Sequence, residues 1–188
     1  MQTLLKFSKT IDAISERLGW LSMMLVILTV VIGFYNVLAR YVGRFIGMQL
    51  SSNVFIETQW YLFSLVFFLS FSYILKNGIN VRVDFIYTNW SKRSKALLDF
   101  WGHLFFLLPY CLLGIWVTVN PVITSWTQWE QSPDPGGLAR APIKSMIIVA
   151  FVMLTFQTIS ELIKLWAVIR GEDITVADLE AETPIRIE

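Results

Sequence analysis

The chain has 188 residues, 55% hydrophobic and only 15% charged, with a mean hydropathy of +0.60 and a formal net charge of +1. That composition is far from a soluble globular domain, and so balanced a charge gives no basis for gripping nucleic acid. A lone cysteine, Cys111, excludes an intrachain disulfide and any Cys-x-x-Cys motif.

Residues 2–17 carry Leu4, Phe7, Ile11 and Ile14 at helical spacing, running on to Leu18, with Lys6, Lys9, Asp12 and Glu16 between them. This predicts an amphipathic helix lying on the cytoplasmic membrane face. Four long apolar segments follow, at about 18–39, 58–75, 97–120 and 145–163. About 20 apolar residues cross the hydrocarbon core of a bilayer. Inside it the backbone must satisfy its own hydrogen bonds, so each segment is predicted to be a transmembrane helix. The first is longer than a signal-peptide core and has no small-x-small site before Arg40, so it is expected to stay in the membrane. The fold class expected is an all-α integral membrane protein. Its parts are an amphipathic arm (1–17), a four-helix transmembrane domain (18–170) and an acidic tail (171–188).

Between the spans the sequence carries punctuation. Gly43-x-x-x-Gly47 lies among arginines outside the apolar core, and so does not read as a helix-packing motif. Ser51, Ser52 and Asn53 are candidate caps for the second helix. Glu57 falls in its first turns, either compensating the helix dipole or offering a polar contact to a partner subunit. Lys76-Asn77-Gly78 is a helix stop. The run 79–85 alternates apolar and polar residues, but a single strand has no partner here, so an extended or interfacial segment is expected. Ser91 is placed to cap the next helix. Within that helix Pro109, flanked by Gly102 and Gly114, is expected to disturb the backbone. The third loop, from Trp126 through Trp129, Glu130, Ser132, Pro133, Asp134, Pro135, Gly136 and Gly137 to Leu138, is the most distinctive polar stretch. Its prolines and glycines force turns, and its tryptophans suit the interface.

Eleven of the 15 lysines and arginines lie in the arm, the second loop and the tail, against four in the first and third loops. The positive-inside rule then predicts both termini in the cytoplasm.

Ionisable groups near the membrane are few. Asp99 and His103 are four apart on one helix face, and Glu161 and Lys164 are three apart near the end of the fourth helix, one turn beyond Gln157. These pairs read as ion pairs or interhelical hydrogen bonds at the membrane edge, since the helix middles carry no acid for a relay. One histidine cannot supply two haem ligands. The chain also has too few Cys, His and acidic residues for a zinc site of usual composition, and no phosphate loop or nucleophile elbow. No cofactor or metal is expected, and no enzyme activity. A small membrane subunit without chemistry of its own is the reading that remains.

The order of certain motifs adds a resemblance. Glu57 opens the second helix, Val81-Arg82-Val83-Asp84 follows that helix, and Glu130-x-Ser132-x-x-Pro135-Gly136-Gly137-Leu138 precedes the fourth. Placed on these loops, they resemble the small membrane subunit of TRAP transporters, the tripartite ATP-independent periplasmic systems. The resemblance runs from about residue 18 to residue 170; Asn80 stands where the family often has His.

It implies a bacterial inner-membrane protein that partners a large membrane subunit, which holds the substrate and sodium sites, and a periplasmic binding protein, which often delivers an organic acid. It also implies a scaffold role. Candidate interface or docking residues are then Glu57, Arg82, Asp84, Trp126, Trp129, Glu130, Ser132, Pro135, Gly136 and Gly137. The alternative is a respiratory membrane anchor that shares a haem with a partner through His103.

Overall fold

The computed structural model describes residues 2–79 and 90–171. The run 80–85, with Arg82 and Asp84, and the acidic tail from residue 172 lie outside the described residues.

The arm and the first span form one unbroken helix, α1 (Gln2–Ile46). Its 45 residues reach about 67 Å, twice the hydrocarbon thickness. No proline or Gly-Pro break separates the two parts, so the backbone has no cause to turn at residue 17. The helix stops at Gly47, whose φ of +69° suits glycine, and the Met48 N–H donates back to the Gly43 carbonyl at 3.0 Å.

Helix α2 (Asn53–Lys76) starts after Ser52, whose side chain makes no capping bond. Ser51 instead donates to Asn36 Oδ1 at 2.7 Å, tying the turn to α1. At its other end Gly78, with φ +59°, and the Ile79 N–H bonded to the Ile74 carbonyl complete the stop read from Lys76-Asn77-Gly78.

The third rod begins at Ser91, whose hydroxyl accepts the Ser94 N–H at 3.2 Å as its cap. It runs through α3 (Lys92–Gly102), a π-helical turn (His103–Leu107) and α4 (Leu108–Thr127). In the π turn the Leu108 N–H reaches the His103 carbonyl, one residue farther than in an α-helix. Pro109 follows at once, and its ring would collide with the carbonyl four residues back in a regular helix. The widened turn is the form that the expected disturbance takes. Helix α5 (Ala141–Ile169) completes the four membrane-length rods among the described residues.

Helix α5 is the hub. It packs against α1, α2 and the α3–α4 rod; α1 also packs on α2, while the α3–α4 rod touches no other helix among the described residues. Interior positions of α1 are mostly small or polar: Ser8, Ile11, Ser15, Gly19 and Ser22 are buried, and Ser8 and Ser15 meet Ser160 and Gln157 of α5. A Cβ on Gly19 would strike the Tyr73 ring, and one on Gly114 the Phe151 ring. Large apolar side chains point outward instead, Phe106 79% and Trp116 74% exposed. In lipid, unlike water, nothing drives such residues inward, and close backbone approach favours small residues between helices.

Candidate functional site

At one end of the bundle the third loop is folded into a defined structure and fastened to two helices. Its base is a short antiparallel bridge between Gln131 and Ala139, flanked by the Ser132 N–H to the Leu138 carbonyl at 3.2 Å and the Arg140 N–H to the Glu130 carbonyl at 2.8 Å. Its tip is a turn with Pro135 second and Gly136, at φ +72°, third; the Gly137 N–H closes it on the Asp134 carbonyl at 3.0 Å. Only glycine takes that third position without strain.

Glu57 fastens this loop to α2. It is the fifth residue of the helix, beyond the first turn, and is buried at 4% exposure. Its carboxylate accepts the Ser132 hydroxyl and the Leu138 N–H. Charge-assisted bonds of this kind are about twice as strong as neutral ones. Tyr61, one turn on, donates its hydroxyl to the Ala139 carbonyl at 3.0 Å, and Asn53 Nδ2 donates to the Pro135 carbonyl at 3.3 Å. Gly137 carries a separate constraint, because a Cβ there would meet the Glu57 carboxylate oxygens and the Ser132 side chain. Glu57 is therefore bonded within the chain, to the loop, from a position beyond the first turn of its helix.

Glu130 fastens the other side. Its carboxylate pairs with the Lys144 ammonium on α5 and accepts the Ser125 hydroxyl at 2.8 Å. The Lys144 bond first, and Ser125 second, hold the Glu130 carboxyl below the usual carboxylate range. Trp126 Nε1 donates to Ser145 Oγ at 2.7 Å, and its ring lies 5.6 Å from that of Trp129. Both indoles stay about half exposed at the outer surface.

Eight of the ten predicted interface residues, all but Arg82 and Asp84 outside the described residues, thus gather into one cluster: Glu57, Ser132, Pro135, Gly136 and Gly137 over α2, and Trp126, Trp129 and Glu130 over the α4–α5 corner. Tyr61, Ser125, Lys144 and Ser145 belong to it as well; no motif announces them, and the partners of Tyr61, Lys144 and Ser145 are backbone or 14 and 19 residues away.

The opposite end holds a polar seam between α1 and α5. Ser8 and Ser160 share a hydrogen bond of 2.6 Å, and Ser15 donates to Gln157 Oε1 at 2.7 Å. Asp12 accepts Gln157 Nε2 at 2.8 Å and the Ser160 hydroxyl at 2.9 Å. Lys164 then bridges both acids, 3.1 Å from Asp12 and 2.6 Å from Glu161. The expected Glu161–Lys164 pair is present, but Asp12 completes it from the arm. Leu4 and Phe7 remain about half exposed, because this part of α1 packs through its serines. Asp99 and His103 stand one turn apart on the third rod, both half-buried, His103 opening the π turn. Among the described residues, no three or more His, Cys, Asp and Glu side chains are grouped to hold a metal.

Among the described residues the geometry is therefore that of fasteners. The sequence profile of the family described as tripartite ATP-independent periplasmic transporters, DctQ component, matches residues 29–168. That match takes in the whole fastened loop and α5, but not the arm. Searches of curated proteins and of solved structures find no significant match.

Proposed function

Because the chain belongs to the DctQ-component family of tripartite ATP-independent periplasmic transporters, we propose that it braces the large membrane subunit of such a system. The family makes it a small permease subunit and a multi-pass inner-membrane protein. In the proposed role it moves no substrate. It gives the sodium-coupled elevator subunit a fixed surface to work against, while a periplasmic binding protein delivers an organic acid.

The observation that carries the reading is the pair of fastenings at opposite ends of the bundle. Glu57 and Glu130 anchor the third loop to α2 and α5, and Asp12, Glu161 and Lys164 join α1 to α5. A bundle tied at both ends and apolar on its outer faces suits a rigid support. Charged groups lie near its ends, which leaves the middle without the intramembrane acids that mark a transport path.

The proposed orientation puts both termini in the cytoplasm and the fastened loop in the periplasm, where the binding protein docks. Purification of a tagged chain from its native membrane tests the brace: a large many-span protein should come with it in fixed proportion, and recovery of the chain alone would count against it. A reporter fused at Pro135 should be active on the periplasmic side only, and cytoplasmic activity would overturn the orientation.

A further inference from the structure

Beside the fastened loop, α1 ends in a cavity of about 630 Å³ that none of the contacts above explains. Ala39 and Gly43 are the buried α1 residues that line it, and Met48, Leu50 and Ile56 form apolar walls, where the chain folds back from Gly47 toward α2. Arg40 and Arg44, one helical turn apart, stand at its edge and also line a second hollow on their other side with Asn36 and Tyr41. Neither guanidinium makes an ion pair or hydrogen bond among the described residues. The first N–H groups of α2 open nearby at Ser52 and Asn53, also in the lining, without a side-chain cap.

We propose that this cavity binds the phosphate of a membrane phospholipid, clasped by Arg40 and Arg44. Guanidinium groups match phosphate oxygens bidentately, and the uncapped start of α2 adds partial positive charge. Depth favours a lipid over a soluble anion. The two arginines terminate an apolar run of membrane length, which puts them at headgroup level. The exposed side chains of Val37 and Tyr41, on the same face of α1, continue the site toward the hydrocarbon for an acyl chain. With two positive charges and no acid among the described residues that line it, the site favours an anionic headgroup. This inference is independent of the bracing role.

The test uses the complex of this chain with its large membrane partner, purified in mild detergent and examined by native mass spectrometry. Phosphatidylglycerol is added to one portion and inorganic phosphate, at the same concentration, to another. The intact complex should retain phosphatidylglycerol and show no phosphate adduct. The double substitution Arg40→Gln with Arg44→Gln should lower lipid retention roughly tenfold or more, at about 1 kcal/mol per arginine at a membrane surface. Equal retention by both forms would overturn the proposal, as would phosphate displacing the lipid. So would a variant that sheds the partner subunit while its remaining intact complex holds lipid as before, since the arginines would then serve the protein contact. Gln49→Glu, at an exposed residue of the cavity lining, leaves both arginines in place and gives them a carboxylate. It should cause the same loss even if the double variant fails to assemble, and undiminished retention in it would also overturn the site.

Discussion

The Glu57 carboxylate and the backbone N–H of Leu138 are 81 residues apart in sequence and hydrogen-bonded in space. Through that bond, and the one from Ser132, the start of α2 holds the loop between α4 and α5. Replacing Glu57 removes the side chain that accepts from both donors. Glu57→Ala should accelerate amide exchange across 131–138 while leaving the helices protected. Glu57→Gln should have a smaller effect, because one amide oxygen remains to accept. Unchanged exchange in both variants would mean that the loop holds its shape without α2.

The two adjacent glycines should fail for different reasons. Gly136→Ala forces a side chain into a left-handed backbone, at about 1–2 kcal/mol. Gly137→Ala meets no such strain but drives a methyl group into the Glu57 carboxylate and Ser132, an overpacking of about 1–3 kcal/mol. Combining each with Glu57→Ala separates them. The cost of Gly137→Ala should fall once the carboxylate is gone, while that of Gly136→Ala should stay, as read from thermal unfolding in detergent.

These contrasts mark what the sequence makes legible. The four spans, the Ser91 cap and the Lys76-Asn77-Gly78 stop follow from local rules of hydropathy, capping and turn chemistry. The Pro135-Gly136-Gly137 turn is local too, but its anchorage is not, because the partners of Glu57 lie 75 and 81 residues away. The apolar residues of the arm, at helical spacing, suggest a helix that packs through them, as one in water would. Its packing runs instead through Ser8, Ile11, Ser15, Gly19 and Ser22, three or four residues apart. That stripe of mostly small side chains is the signal for helix contact in lipid.

In the seam, Lys164 faces two carboxylates and is 13% exposed, as against 18% for Asp12 and 11% for Glu161. Lys164→Met leaves both acids without their cation and should destabilise the subunit by about 3–5 kcal/mol. Adding Glu161→Gln removes one stranded charge and should restore part of that loss. A double variant no more stable than Lys164→Met alone, by unfolding in mixed detergent, would show that the acids do not depend on the ammonium.

The Glu130 tie should show a pH dependence of definite sign. Its carboxyl titrates lower in the folded loop than in the unfolded chain, where the bonds from Lys144 and Ser125 are lost. The stabilisation is therefore fully present above the ordinary carboxylate range and is lost as pH falls through the lowered folded value. Protection of residues 130–140 should persist at neutral pH and decline only in acid. Glu130→Gln should weaken the loop at neutral pH and flatten that acid decline; a variant with the wild-type pH profile would assign the decline to another group.

The bracing role is tested most directly by reconstituted uptake. The large membrane subunit is placed in lipid vesicles with and without this chain, and the periplasmic binding protein delivers labelled substrate under an inward sodium gradient. Uptake is expected only when both membrane proteins are present, and none from this chain alone. Undiminished uptake by the large subunit without it, or sodium-driven flux through this chain by itself, would contradict the account.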